Sequence, residues 1–218
     1  MLDFGFYNMD CMDGMKEFPD QYFDLAIVDP PYGINIVGKN VIKNKSDSDR
    51  IFNTEWDKEI PNKNYFDELK RVSKEQIIWG GNYFLDILGY CKAPIIWDKL
   101  NGDSLYADGE MAWTSKGLPK NLKIFRHQWC GAFKASERKM IKIHPTQKPV
   151  ALYRWLLEHY AKEGDKILDT HVGSASSLIA CREMGFKYVG FEIDEDYFND
   201  AKKRLDQAEN QVNIFDLL

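Results

Sequence analysis

An α/β fold with a doubly wound, mostly parallel sheet is predicted by three observations. The last third of the chain alternates helix, strand, helix, strand, helix from residue 150 to residue 208. Such alternation implies parallel strands joined by right-handed crossovers. Short apolar runs end abruptly in an acid: Leu25-Ala26-Ile27-Val28 before Asp29, 166–168 before Asp169 and 188–191 before Glu192. In open α/β sheets the carboxyl ends of strands are where ligands bind. Finally, 218 residues are enough for one substantial core.

Taken in order, residues 4–9 read as a strand leading to Asp10-Cys11, and 13–18 as a short helix. Residues 23–28 form the strand that ends at Asp29. The stretch 38–53 is polar, mixed in charge and without apolar period, so it reads as a loop and a candidate lid. Phe66, Leu69 and Val72 fall at helical spacing within 65–72. Residues 76–79, 94–97 and 110–114 read as strands, the first two being short apolar runs stopped by Gly-Gly-Asn and Asp-Lys. Residues 115–143 are basic and irregular, with Phe125, His127, Trp129 and Phe133 interleaved. Val150, Tyr153, Leu156, Leu157 and Tyr160 share one face of a helix over 150–162. Gly164-Asp165 is a turn before the 166–168 strand. Gly173-Ser174-Ala175-Ser176 opens a helix through 184, 188–191 is a strand, and 196–208 is the final helix. No repeat or linker divides the chain.

Composition excludes several classes. Hydrophobic residues make up 44% and charged residues 29%, as in an ordinary soluble globular protein. No apolar stretch approaches the roughly 18 residues that cross a bilayer. The N-terminus lacks the basic start and apolar core of a signal peptide. Cys11, Cys91, Cys130 and Cys181 form no CxxC pair, which argues against zinc and against a disulfide framework, so no metal is expected. Reduced thiols in a cytoplasmic protein are the simple expectation. The net charge is −5, yet the 116–142 segment carries eight basic residues against Glu137 alone. A concentrated basic stretch on an acidic body is either a solvated face or an electrostatic footprint for a polyanion, and charge leaves both open.

Asp29-Pro30-Pro31-Tyr32 carries the most chemical information. Two consecutive prolines donate no backbone hydrogen bonds and cannot continue a sheet. They make a stiff rim that holds a carboxylate, a carbonyl and an aromatic ring at a strand's carboxyl end. A planar ligand with an exocyclic amino group suits this trio, its face on the ring and its amino hydrogens on the two oxygens. A second arrangement lies in the last third, where Asp169 and the Gly173 loop are followed about 20 residues later by Glu192. Glycine admits close backbone approach, and a carboxylate at the next strand end can accept both hydroxyls of a ribose. No GxxxxGK[ST] is present and Ala175 breaks GxGxxG spacing, so a nucleoside without phosphates fits better than a nucleotide. A Gly-Ser-Ala-Ser run is equally a common helix start.

These residues resemble the amino-group DNA methyltransferases in the permuted arrangement called the beta class. There DPPY or SPPY lies near the N-terminus, and a DPFxGSGT-like motif follows an HPTxKP segment near the C-terminus. This chain has DPPY at 29–32, His144-Pro145-Thr146-Gln147-Lys148-Pro149, and Asp169-Thr170-His171-Val172-Gly173-Ser174-Ala175-Ser176. It also has Gly190-Phe191-Glu192-Ile193-Asp194, then Tyr197 and Arg204-Leu205. The resemblance covers 8–33 and 144–206 well and the middle only loosely.

The resemblance implies a single Rossmann-like methyltransferase domain with one antiparallel strand and a small basic target-recognition insertion around 101–143. It implies S-adenosylmethionine as cofactor and double-stranded DNA as partner, with a homodimer as in many members, and a place in restriction-modification. Asp29 and the Pro30 carbonyl would hold the target amino group, with Pro31 stiffening the rim and Tyr32 stacking on the base. Asp169 and Gly173 would line the methionine end of the cofactor, with Thr170 and Ser174 also among its binding residues. Glu192 would take the ribose hydroxyls beside Ile193. Asp10 and Cys11 would lie near the adenine, and Thr146 and Lys148 would flank the cofactor. Thr170 and His171 depart from the family's Pro-Phe, and Ala175 from its second glycine, which bears on cofactor affinity. His171 is either a cofactor contact or a packing residue. The target base must leave the duplex, at a cost of about a few kcal/mol, and Arg126, Gln128 and Lys134 are candidates for reading its neighbours. No cysteine nucleophile is needed for transfer to an amino group. DPPY points to adenine N6; cytosine N4, RNA, a small molecule or protein as methyl acceptor, and a silent DNA-binding chain remain as alternatives.

Overall fold

A computed structural model of the chain describes residues 1–35, 55–102, 107–119, 121–130, 133–134 and 142–215. The chain opens with β1 (Gly5–Asn8), α1 (Cys11–Lys16) and β2 (Phe23–Val28). Helix α2 (Lys63–Val72) runs directly into β3 (Ser73–Trp79), followed by α3 (Leu85–Leu88), β4 (Ile95–Asp98) and β5 (Gly109–Thr114). Then come β6 (Lys123–Arg126) and the short strands β7 (Trp129–Cys130) and β8 (Phe133–Lys134). The last part is α4 (Val150–Tyr160), β9 (Lys166–Asp169), α5 (Ser176–Glu183), β10 (Lys187–Glu192) and α6 (Glu195–Phe215).

Eight strands form one sheet in the order β1-β10-β9-β2-β3-β5-β4-β6. Neighbours pair in parallel except at β5, which is antiparallel to both β3 and β4. The doubly wound sheet with one antiparallel strand is therefore as expected. The period of two along β2 sorts its side chains between two cores. Leu25 and Ile27 pack with Leu152 and Leu156 of α4 and Leu178 of α5. Ala26 and Val28 pack with Met15 of α1 and Phe66 and Leu69 of α2. Helices thus cover both faces, and the strand ends are left as the free edge.

Side-chain caps set the helix starts. Asp10 accepts the Met12 N–H at 2.7 Å, so α1 begins at Cys11, two residues before the expected start. Asn62 caps α2 through the Tyr65 N–H at 3.2 Å. Asp194 accepts the N–H groups of Asp196 and Tyr197 at 3.0 Å each, starting α6 at Glu195.

The 115–143 stretch is less irregular than its composition suggests. Lys123–Arg126 completes the sheet, parallel to β4 at its outer edge. Only Phe125 of this strand is partly buried, so no apolar alternation announces it; the open edge of β4 recruits it instead. Within 101–143, residues 109–114 and 123–126 belong to the main sheet, and 129–134 includes the separate β7–β8 pair. The expected lid at 38–53 lies outside the described residues. Among the described residues no helix is long and apolar enough to cross a membrane.

Helix α1 lies close against β10 because Gly14 carries no side chain. A Cβ there would stand 2.4 Å from the Phe191 ring, which is itself fully buried. Gly14→Ala is expected to destabilise the protein by about 1–2 kcal/mol in urea denaturation, because overpacking outweighs the helix-propensity gain of roughly 1 kcal/mol. An unchanged or higher midpoint would contradict that packing.

Candidate active site

Strand direction gathers the chemistry at one edge. Strands β1, β10, β9, β2 and β3 run in parallel, so Asp29, Asp169 and Glu192 end their strands side by side. Strand β5 runs the other way, so its beginning, with Glu110, arrives at that same edge.

A cavity of about 210 Å³ opens there. Asp29 and Pro31 line it from the N-terminal rim, and Gly173, Ser174, Glu192 and Ile193 from the C-terminal loops. Thr146 and Lys148, also expected beside the cofactor, line it too. A smaller adjoining hollow of about 20 Å³ is lined by Pro30 and Tyr32 and shares Asp29, Trp56 and Thr146 with the first. The two motifs from opposite ends of the chain therefore meet in one space. Asp10, Cys11, Asp169 and Thr170 line neither hollow. Asp10 caps α1, and burial of the Cys11 thiol pushes it up to about 12.

Around the larger cavity, Glu192 is pinned by the N–H groups of Gly173 at 2.9 Å and Asp194 at 3.0 Å. Burial raises its carboxyl despite those bonds. Gly173 sits at φ +54, and a Cβ there would touch the His144 ring at 3.4 Å. The His144 ring stacks on Trp56 with centroids 5.3 Å apart and meets Tyr197 edge-on at 4.5 Å. Arg204 of α6 ties the loop down, donating to the Ser174 carbonyl at 2.6 Å and to Ser176 Oγ at 2.8 Å.

The departures from the family pattern are absorbed locally. Thr170 Oγ1 lies 2.7 Å from the Tyr65 hydroxyl and 2.9 Å from His171 Nδ1. Buried polar groups need such partners, and Tyr65 of α2 supplies one. Burial pushes the His171 imidazole down to about 4, so the ring is neutral near pH 7. Ala175 adopts φ +61, yet its methyl enters the core rather than the cavity.

At the rim, Asp57 holds the turn after the prolines by accepting the N–H groups of Tyr32 at 2.9 Å and Gly33 at 3.1 Å. The Tyr32 ring stacks on Tyr83 at 5.0 Å and 19°. It lies over Gly80, where a Cβ would stand 2.2 Å from it. Asp29 accepts the Tyr32 hydroxyl at 2.6 Å and the Lys148 ammonium at 2.5 Å. Lys148 also meets Glu110 at 3.0 Å, and Lys99 meets Glu110 at 2.5 Å. Burial pushes Asp29 up against the pull of Lys148. Burial also opposes ionisation of Glu110, but Lys148 and Lys99 outweigh it and hold that carboxyl at about 2.

Trp56, Asp57, Tyr65, Tyr83 and Glu110 escape sequence reading because none lies in a motif. The Gly80-Gly81 pair after an apolar run is the one local signal of a close approach near Tyr32.

Residues 104–203 match the DNA methylase family. That stretch makes the chain similar to DNA methylases. A segment of 91 residues is 35% identical to the type II methyltransferase M2.DpnII of Streptococcus pneumoniae, covering 42% of this chain and 34% of that one. The type II methyltransferase M.HinfI of Haemophilus influenzae is 27% identical over 96% of this chain and 70% of its own. The matched segment spans about a third of the length of M2.DpnII, M.HpaI and M2.LlaDCHI. The crystal structure of M1.HpyAVI in complex with SAM shares the fold, with a TM-score of 0.59 at 24% identity over 91% of this chain and 98% of that one. The PvuII DNA methyltransferase (cytosine-N4-specific) shares it at 0.56 and 13% identity over 97% of this chain and 93% of that one.

Asp169 accepts the His171 N–H at 3.0 Å and the Ser177 hydroxyl. Burial dominates, and its carboxyl rises to about 7. An unfolded aspartate titrates near 3.9, so between about pH 4 and pH 7 the folded state holds the extra proton and stability falls as pH rises. Asp169→Asn, which still accepts the His171 N–H and can donate to the Ser177 hydroxyl oxygen in place of accepting from it, is expected to gain more stability over the wild type at pH 8 than at pH 4. Parallel pH–stability curves for the two proteins would refute the buried-acid assignment.

Proposed function

We propose that this chain methylates the exocyclic N6 of adenine in double-stranded DNA, with S-adenosylmethionine as the donor. The observation that carries the reading is the single cavity shared by Asp29 and Pro31 with Gly173, Ser174 and Glu192. Its lining suits that cofactor. Glu192 offers a carboxylate to ribose hydroxyls, and Trp56, His144 and Tyr197 offer aromatic walls to a nucleobase. The lysine on the wall is already paired with Asp29 and Glu110, so nothing there favours a triphosphate. Gly173, Ser174, Thr146, Lys148 and Ile193 would hold the cofactor. Asp10, Cys11, Asp169 and Thr170 would shape the loops around it.

When bound, the cofactor supplies an electrophilic methyl group on a sulfonium. The chain's own task is to make a poor nucleophile attack it. An aromatic amino group has its lone pair delocalised into the ring. Asp29 and the Pro30 carbonyl would draw its hydrogens out of the base plane and localise that lone pair toward the methyl carbon. Asp29 then takes the proton that the nitrogen loses. Tyr32 would stack on the extruded base, recovering about 1–3 kcal/mol of the unstacking cost. Positioning and preorganised polar groups supply the catalysis, with no covalent enzyme intermediate.

The basic 116–142 segment would grip phosphates, as a recognition element within a single methyltransferase domain. A homodimer and a cytoplasmic setting complete the proposal. DPPY rather than SPPY favours adenine over cytosine.

Labelled cofactor, DNA and digestion to nucleosides test the target directly. N6-methyladenine is expected, and N4-methylcytosine would move the assignment to the alternative base. Asp29→Ala is expected to abolish transfer while leaving cofactor affinity, read by calorimetry, largely intact. Tyr32→Ala is expected to lose less, because stacking is one part of the grip. Turnover by Asp29→Ala would remove Asp29 from the reaction.

A further inference from the structure

Each oxygen of the Asp29 carboxylate already accepts one hydrogen bond from its own chain. One oxygen accepts the Tyr32 hydroxyl and the other accepts the Lys148 ammonium. Yet under the proposed reaction, on which this inference rests, one of those oxygens must accept the target amino group. Lys148 is only 4% exposed and cannot retreat into solvent. The ammonium competes with the target amino group for that carboxylate, and a buried ammonium stripped of its counter-charge is strongly unfavourable, so Lys148 yields its place on Asp29 only if a second acceptor takes it.

Glu110 is that acceptor. Its Oε2 already lies 3.0 Å from the Lys148 ammonium and 3.4 Å from the Tyr32 hydroxyl. Its Oε1 is held by Lys99 at 2.5 Å, and Lys99 rests over the Trp97 ring at 4.9 Å. The carboxylate is therefore anchored from behind and does not follow the lysine. Because β5 is the reversed strand, Glu110 enters the edge from a chain direction that no other strand of the sheet uses.

We propose that Glu110 is a positioning residue that takes over the Lys148 ammonium when the target amino group takes Asp29. Lys148 passes between two acceptors already in reach, and its charge stays compensated throughout. Glu110 touches neither the base nor the methyl group; it acts through Lys148.

The test uses the full chain, duplex DNA and S-adenosylmethionine, with single-turnover rates and S-adenosylhomocysteine affinity measured separately. Glu110→Gln keeps the shape but weakens the second acceptor, so Lys148 stays on Asp29. The rate is expected to fall at least about tenfold, a barrier change of roughly 1.4 kcal/mol, with affinity within about threefold. Adding Lys148→Met to Glu110→Gln removes the blocking ammonium and one charge of each sign. The double variant is then expected to be faster than Glu110→Gln alone, a non-additivity that a merely structural role does not produce. Undiminished turnover by Glu110→Gln, loss of its cofactor affinity, or a double variant slower still would overturn this inference alone. A wild-type chain that binds cofactor and DNA but transfers nothing would overturn the proposed function and this inference with it.

Discussion

The parallel pairing of β2 with β9 is the constraint on which the site depends. These strands come from distant parts of the chain, and Leu25 and Ala26 pair with Ile167 and Leu168. Asp24 reinforces the join by accepting the Lys166 N–H at 2.9 Å and the Lys74 ammonium. Because the strands run the same way, the residues that end them arrive together, Asp29 from one and Asp169 from the other. A one-residue slip would turn every β2 side chain to the wrong face. Leu25 and Ile27 would then leave one core while Ala26 and Val28 left the other. The register that fills both cores is thus the register that builds the cavity.

Around that join the protein concentrates half-buried charge. Asp29, Lys148, Glu110 and Lys99 form a chain of alternating sign in which every member has a partner of opposite charge. Buried ion pairs of this kind contribute little net stability against a well-packed apolar substitute. The Tyr65–Thr170–His171 cluster differs: its polar groups satisfy one another, and burial keeps the imidazole neutral.

The 173–176 loop shows how one position serves packing and geometry together. Ala175 occupies a left-handed backbone conformation that favours glycine. Its methyl fills core space beside Leu178 and Ile179. A Cβ at Gly173, two residues earlier, would stand in ordinary contact with the His144 ring at 3.4 Å, but its φ of +54 lies in the left-handed region that favours glycine. The loop therefore carries a methyl on its core side and glycine on the side that lines the cavity.

The sequence by itself determined the strands and helices of the last third, the β2 strand with its proline-stiffened end, and the motif residues at the strand termini. Those features are local: they follow from periodicity, from caps such as Asp10 and Asp194, and from residues that cannot continue a sheet. Strand β6 was not legible, because an edge strand with little burial needs no apolar alternation. Nor were Glu110, Asp57 and Tyr65, whose importance comes from what they touch across the fold. Only the tertiary structure decided that a reversed strand would deliver Glu110 to the edge where Lys148 and Asp29 meet. Contacts between residues far apart in sequence follow from strand order and direction, and neither is written in any short stretch of the chain.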